Sequence, residues 1–169
     1  MNKDTITKEF TELIEDNQGI IFNVSAMYCN DLTCRKDLVQ EILLQLWRSF
    51  PTYDKTRKYT TWMYRIALNT AISQWRKDKT KKEVAMDKLP VTVTDDDIIN
   101  EKSERVRILN IAINRLNKAE KSIIILYMDD YPYDEISEIT GISVSNVGVK
   151  INRIKKKLQH HLKELGYGL

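Results

Sequence analysis

The stretch YPYDEISEITGISVSNVGVKINRIKKKLQHHL, Tyr131 to Leu162, decides how the chain is read. Tyr133 to Thr140 is a short helical segment with Ile136 and Ile139 on one side, and Gly141 follows where a tight interhelical turn needs left-handed backbone. Ser143 is a helix cap, and Val144, Val147, Ile151, Ile154 and Leu158 recur at intervals of three and four, so they turn inward together. Two short helices joined at a glycine form a helix-turn-helix.

The N-terminal part of the second helix is the part that enters a major groove. There Ser145, Asn146, Val149, Lys150, Asn152 and Arg153 point away from the inward row. Asn and Arg can make paired hydrogen bonds to base edges, and Lys155, Lys156 and Lys157 stand where phosphates would lie. An amphipathic helix with a merely solvated lysine face is the plainer alternative. The glycine turn, the spacing and the cationic helix in combination favour DNA binding.

The rest of the chain is also helical in pattern, because its 169 residues hold only five Gly and three Pro and its apolar residues recur at three and four. With 42% hydrophobic residues it can bury one core or two small ones, and two are expected. The net charge of +3 conceals an uneven distribution. Residues 1–80 hold 12 basic and 10 acidic side chains, 81–104 hold 4 and 7, and 105–169 hold 11 and 7. Two basic lobes flank an acidic connector.

Several function classes drop out. No apolar run approaches the length of a membrane span, and MNKDTITKEF lacks the apolar centre of a signal peptide, so a cytoplasmic protein is expected. No phosphate-binding Gly loop, nucleophile elbow or His-Glu metal helix occurs, so neither catalysis, nor a metal, nor a cofactor is expected. Cys29 and Cys34 have no second cysteine pair and fit no zinc or redox spacing, and are read as buried or idle thiols.

In DLVQEILLQLWRSFP, Leu38, Val39, Ile42, Leu43, Leu46, Trp47 and Phe50 form a wide apolar stripe that ends at Pro51. Opposite lie Asp37, Gln40, Glu41, Leu44 and Arg48, with Leu44 the apolar exception on a charged face. That leucine is either a lone exposed residue or the centre of a partner-binding face. Upstream, Phe10–Ile14 and Ile20–Met27 suggest two further helices separated near Asn17–Gly19, with a break at Cys29–Asp31. Residues 78–103 have no sustained period and read as a tether. Val106, Leu109, Ile113 and Leu116 resume the helical pattern, and Asn117 with Glu120 forms a capping box. The expected fold is all-α, with helical domains at 1–77 and 104–169 joined by a flexible 78–103 linker.

The remaining segment, YTTWMYRIALNTAISQWRKDK from Tyr59 to Lys79, combines indoles, tyrosines and cations. Tyr53, Tyr59, Trp62, Tyr64 and Trp75 can stack on unpaired bases, while Arg57, Lys58, Arg65, Arg76 and Lys77 can neutralise a backbone. Met63, Ile66, Ala67 and Ala71 supply a core side, and Trp75 is assigned to that core rather than to DNA.

In order and spacing, DLVQEILLQLW, then TTWMYRIALNTAISQWRK, a charged linker and LNKAEKSIIILYMDDYPYDEISEITGISVSNVGVKINRIKKKL resemble the extracytoplasmic-function (ECF) sigma factors of bacteria, from about Phe10 to Leu162. The resemblance implies an N-terminal domain that holds core RNA polymerase and the downstream (−10) promoter element, and a C-terminal domain that reads the upstream (−35) element. It puts Asp37, Gln40, Glu41, Leu44 and Trp47, with Arg48 beside them, on the helix that docks on polymerase. It makes Thr52–Thr60 the loop that captures a flipped base, with Trp62, Asn69 and Ser73 on the helix behind. Tyr53, Arg57, Lys58, Tyr59, Trp62, Arg65, Asn69, Ser73 and Arg76 thus become the single-strand surface. Ser145, Asn146, Val149, Lys150, Asn152, Arg153, Lys156 and Lys157 become the duplex surface. An anti-sigma factor is an implied partner. The chain departs from the family at Cys34–Lys36, where acidic and alanine residues are usual, and at Gly148 and Val149, where Arg and Ser are frequent. A stand-alone helix-turn-helix regulator with a dimerisation or sensor bundle, and a helical adaptor with no nucleic-acid role, are the alternatives.

Overall fold

A computed structural model describes residues 2–82 and 101–168, and side chains at 2–78 and 104–168. Every regular element among the described residues is helical. The order is α1 (Lys3–Tyr28), α2 (Leu32–Ser49), a 3₁₀ turn (Phe50–Thr52), α3 (Tyr59–Lys82), α4 (Glu101–Asn114), α5 (Lys118–Met128), α6 (Tyr133–Thr140) and α7 (Val144–Glu164). The chain divides into two compact units, Met1–Thr92 and Val93–Leu169. Most of the 78–103 tether lies outside the described residues, but α3 runs to Lys82 and α4 starts at Glu101, so helix occupies both of its ends.

In the first unit α1, α2 and α3 pack pairwise. The two helices expected upstream meet without a gap in α1, at a kink within the expected Asn17–Gly19 separation where Asn17 leaves helical geometry at φ −129° and ψ 17°. Its amide Nδ2 donates to the carbonyl of Leu13 at 2.8 Å, a side-chain bond that keeps the bent turn satisfied. Ile21, Val24, Leu38, Ile42, Leu46, Met63, Ala67, Leu68 and Ala71 form the core. Asp31 starts α2 by accepting from the Cys34 N–H at 2.8 Å.

The cysteines correct the sequence reading. Cys29 ends α1 and Cys34 lies in the first turn of α2, which brings their Cα atoms to 5.6 Å and joins the sulfurs in a disulfide. The turn between two helix ends folds the short spacing back on itself, so these are bonded sulfurs rather than idle thiols. Arg35 Nε donates to the Cys29 carbonyl across the same junction at 3.0 Å.

In the second unit α7 packs on α4, α5 and α6. Asn117 and Glu120 make the capping box of α5, the Asn117 side chain accepting from Glu120 N at 2.9 Å and Glu120 Oε2 from Asn117 N at 3.2 Å. Gly141 has φ 77°, and Ser143 caps α7. Ile136, Ile139, Val147, Ile151, Ile154 and Leu158 are buried as expected, whereas Val144, in the first turn of α7, is 48% exposed. The inward row of α4 differs in part, since Ile113, and Leu116 just beyond the helix, are buried as expected. Ile108 and Ala112 are buried while Val106 is 55% exposed and Leu109 half-buried.

Candidate nucleic-acid interface

The surface of the first unit starts at a built loop. Asp54 Oδ1 accepts from both the Thr56 N–H at 3.0 Å and the Thr56 hydroxyl at 2.7 Å, and Arg57 N donates to the Asp54 carbonyl at 3.0 Å. Those hydrogen bonds, the hydroxyl first, hold the Asp54 carboxyl below its ordinary range, and Arg57 adds to the effect. The Tyr53 hydroxyl donates to the Arg57 carbonyl, closing the loop on itself. Partial burial raises the Tyr53 phenol, helped by the charge of Asp54 and by Tyr59. The Asp-x-Thr sequence at Asp54 was a readable turn signal.

Aromatic contacts tie this loop to the helices behind it. The Tyr53 and Trp62 ring centroids are 4.8 Å apart, Phe50 lies 6.3 Å from Trp62, and Phe10 lies 5.3 Å from Phe50 and 5.0 Å from Trp47. Phe10 and Phe50 are structural members that sequence reasoning did not include in the site. Trp47 faces this cluster, half-buried, rather than standing with Leu44 on the outer face of α2.

Beyond the loop, Trp62, Arg65, Asn69, Ser73 and Arg76 follow one another at three or four along α3, so they share one face. Trp62 is half-buried and the other four are exposed, as are Arg57, Lys58 and Tyr59 at the entrance. Two expectations fail here. Tyr64 is 2% exposed and belongs to the core, so it offers no stacking face. Trp75, assigned to the core, is 36% exposed because it follows the last buried turn of α3.

On α2, Asp37, Gln40, Leu44 and Arg48 are exposed, Leu44 by 40%, and Glu41 is half-buried. Glu41 accepts from Gln45 Nε2 at 2.8 Å, and both line a groove of about 560 Å³ with Asn69 and Ser73 of α3. The candidate polymerase-docking and single-strand surfaces therefore meet along this groove.

In the second unit Ser145, Asn146, Val149, Lys150, Asn152 and Arg153 are all exposed on the first half of α7. Two of the lysines that follow, Lys155 and Lys157, are engaged with the unit's own helices. Lys155 Nζ donates to the Tyr127 hydroxyl at 2.7 Å and lies 4.3 Å from its ring centroid, and Lys157 pairs with Glu120. Lys156 and Lys157 border a cleft with Arg115 and His160, and Arg115 pairs with Glu164 at 3.0 Å. Of the second half of α7, the sequence did not reveal these partners, because they come from helices distant along the chain.

The Sigma-70 region 2 family matches residues 13–81, and the Sigma-70, region 4 family matches 107–158. The ECF RNA polymerase sigma factor SigW of Bacillus subtilis (strain 168) is 26% identical over 168 residues, spanning 92% of this chain and 90% of its own. The RNA polymerase sigma factor SigV of the same organism is 27% identical over 170 residues, spanning 96% of each. Among solved structures, the sigma factor RpoE in complex with the anti-sigma factor NepR, from Bartonella quintana, superposes with a TM-score of 0.75 at 18% identity, over 92% of this chain and 98% of that one. CnrH in complex with the cytosolic domain of CnrY gives 0.68 at 17%, over 94% and 90%. The two family regions fall in sequence order on the two compact units, cover more than two thirds of the chain, and bracket the charged connector, so the chain belongs to the sigma-70 family as an ECF sigma factor.

Proposed function

We propose that this chain binds core RNA polymerase through the outer face of α2 and directs it to promoters, helping to open the DNA there. In this reading Asp37, Gln40, Glu41, Leu44 and Arg48 meet polymerase, with Trp47 supporting the helix from behind. The loop from Tyr53 to Tyr59 and the α3 face of Trp62, Arg65, Asn69, Ser73 and Arg76 take the separated downstream strand. Ser145, Asn146, Val149, Lys150, Asn152 and Arg153 read the upstream duplex, with Lys156 and Lys157 toward its flank. Unpairing a base costs a few kcal/mol and stacking returns about 1 to 3 per base, so a surface for one or two bases offsets much of the opening. Nucleotide chemistry stays with the polymerase, which places the chain in the cytoplasm.

The observation that carries this reading is the single exposed face of α3, running from an aromatic-backed loop to the groove it shares with the docking helix. A stand-alone regulator has no use for such a face. The structure of RpoE with the anti-sigma factor NepR supports an anti-sigma factor as a further partner. Run-off transcription with purified core polymerase tests the proposal. Promoter-dependent transcripts that require the chain are expected, and failure both to bind core and to direct initiation on any genomic promoter refutes it.

A further inference from the structure

The unassigned chemistry of the molecule lies at the junction of α1 and α2. The Cys29–Cys34 disulfide, the Asp31 cap on the Cys34 N–H and the Arg35 bond to the Cys29 carbonyl all fall within seven residues. Cys29 is 4% exposed and Cys34 is half-buried, so Cys34 is the more accessible residue of the pair. Cys34 also lies in the first turn of α2, directly before Arg35 and Lys36. None of the proposed polymerase or DNA contacts uses either sulfur.

A disulfide in the reducing cytoplasm is ordinarily transient and redox-responsive rather than structural. That step rests on the proposed function, which places the chain beside polymerase. We propose that Cys29 and Cys34 are a reversible thiol–disulfide couple, oxidised by peroxides and reduced by protein dithiols, that sets how firmly the first turn of α2 is held. In oxidation the Cys34 thiolate attacks one oxygen of hydrogen peroxide, the O–O bond breaks, and the other oxygen leaves as hydroxide and takes a proton to become water. Cys29, losing its proton, attacks the resulting sulfenic sulfur, and the second oxygen leaves as water. Two thiols and one peroxide thus give one disulfide and two waters. In reduction a dithiol's thiolate attacks Cys34 Sγ and Cys29 leaves as thiolate. The dithiol's second sulfur then releases Cys34 and is itself oxidised to a disulfide.

The docking face of α2 begins at Asp37, three residues beyond Cys34. Oxidation pins the N-terminal end of that face to α1, and reduction leaves it to Arg35 and the Asp31 cap. If the freed turn is competent roughly a third of the time, core affinity falls about threefold.

The experiment uses the full chain, reduced with dithiothreitol, freed of reductant and treated with one equivalent of hydrogen peroxide. Mass after iodoacetamide alkylation counts the thiols, and core polymerase affinity is measured for both forms and for the Cys29→Ser/Cys34→Ser double variant. Two alkylations are expected when reduced and none when oxidised, with tighter core binding by the oxidised form that dithiothreitol reverses. The double variant is expected to bind like the reduced chain in either buffer. Thiols that survive peroxide, or equal affinity in the two forms, overturn the proposal. If neither form binds core, the promoter reading fails instead. The couple is then decided by the thiol count together with a melting temperature of the N-terminal unit, read from its tryptophans, that must be higher when oxidised.

Discussion

Lys121 gives the sharpest physical test of the C-terminal unit. It is 5% exposed, its ammonium donates to Asn114 Oδ1 at 3.1 Å, and burial, helped by the neighbouring Lys118 charge, lowers its pKa to about 8. The unfolded chain would hold the same group near the ordinary lysine value of 10.5. Because the folded pKa is the lower one, folding disfavours the proton, and the penalty is complete below the folded pKa and fades as pH rises toward the unfolded one. At about 1.4 kcal/mol per unit, the interval corresponds to at most about 3 kcal/mol at pH 7 and about 1 at pH 10. Lys121→Met keeps the buried stem and removes the charge, and Asn114 is exposed and can turn to water. The variant is therefore expected to be more stable than the wild type at pH 7, with the gap closing by pH 10. Trp47, Trp62 and Trp75 all lie in the N-terminal unit, so indole fluorescence does not report on this change. Urea unfolding of the full chain by far-UV circular dichroism, with the fluorescence transition identified separately, does. An equal or smaller stability of the variant at pH 7, or a gap that ignores pH, refutes the desolvation argument.

Leu44→Ala and Glu41→Lys are expected to weaken core polymerase binding in a pull-down or titration while changing stability by no more than about 0.5 kcal/mol, since both are on the outer side of α2. Asn69→Ala is expected to slow promoter opening and to be partly rescued by a template mismatched at the downstream element, whereas Lys150→Ala and Arg153→Ala weaken closed-complex formation and gain nothing from the mismatch. Equal rescue would assign strand separation to the wrong unit. In the helix-turn-helix, Gly141→Ala is expected to cost about 1 to 2 kcal/mol, since it strains the backbone at φ 77° although no atom lies within 4 Å. Gly148→Ala, where the new methyl meets only Tyr133 at 3.4 Å, is expected to add about 0.5 to 1 kcal/mol in the same urea assay.

The local signals in the sequence were reliable where the chain itself makes the structure. Gly141, the Ser143 cap and the Asn117–Glu120 box all rest on contacts within a few residues, and they are found as read. The inward row of α4 was legible only in part: Ile113 and Leu116 are buried as read, but RVRILNIAIN contains two overlapping rows at three and four. Packing against α7 selects Ile108 and Ala112 over Val106 and Leu109. Tyr64, Leu68, Ala71 and Trp75 likewise form one row on α3, buried through Ala71 and exposed at Trp75. Where such a row ends is set by how far the neighbouring helices α1 and α2 cover it, which the period of α3 alone does not carry. The bond between Cys29 and Cys34 was not legible for a related reason, since helix ends on either side of a turn determine whether two sulfurs meet.

Trp62 carries the most consequential revision. Read as a stacking platform, it also proves to be the support of the loop, because its ring packs against Tyr53 and Phe50, and Phe50 in turn meets Phe10 of α1. Removing a fully buried indole costs about 3 to 5 kcal/mol, and half-buried Trp62 forfeits a part of that at the contacts that hold the loop, the 3₁₀ turn and the end of α2 together. A defect in Trp62→Ala thus mixes lost stacking with lost architecture. Asn69 lies two turns further along the same face, exposed, and shares its groove with Glu41. Its side chain can be removed without opening the core, so the rescue experiment separates strand capture from folding at Asn69, and the aromatic cluster is the reason it cannot do so at Trp62.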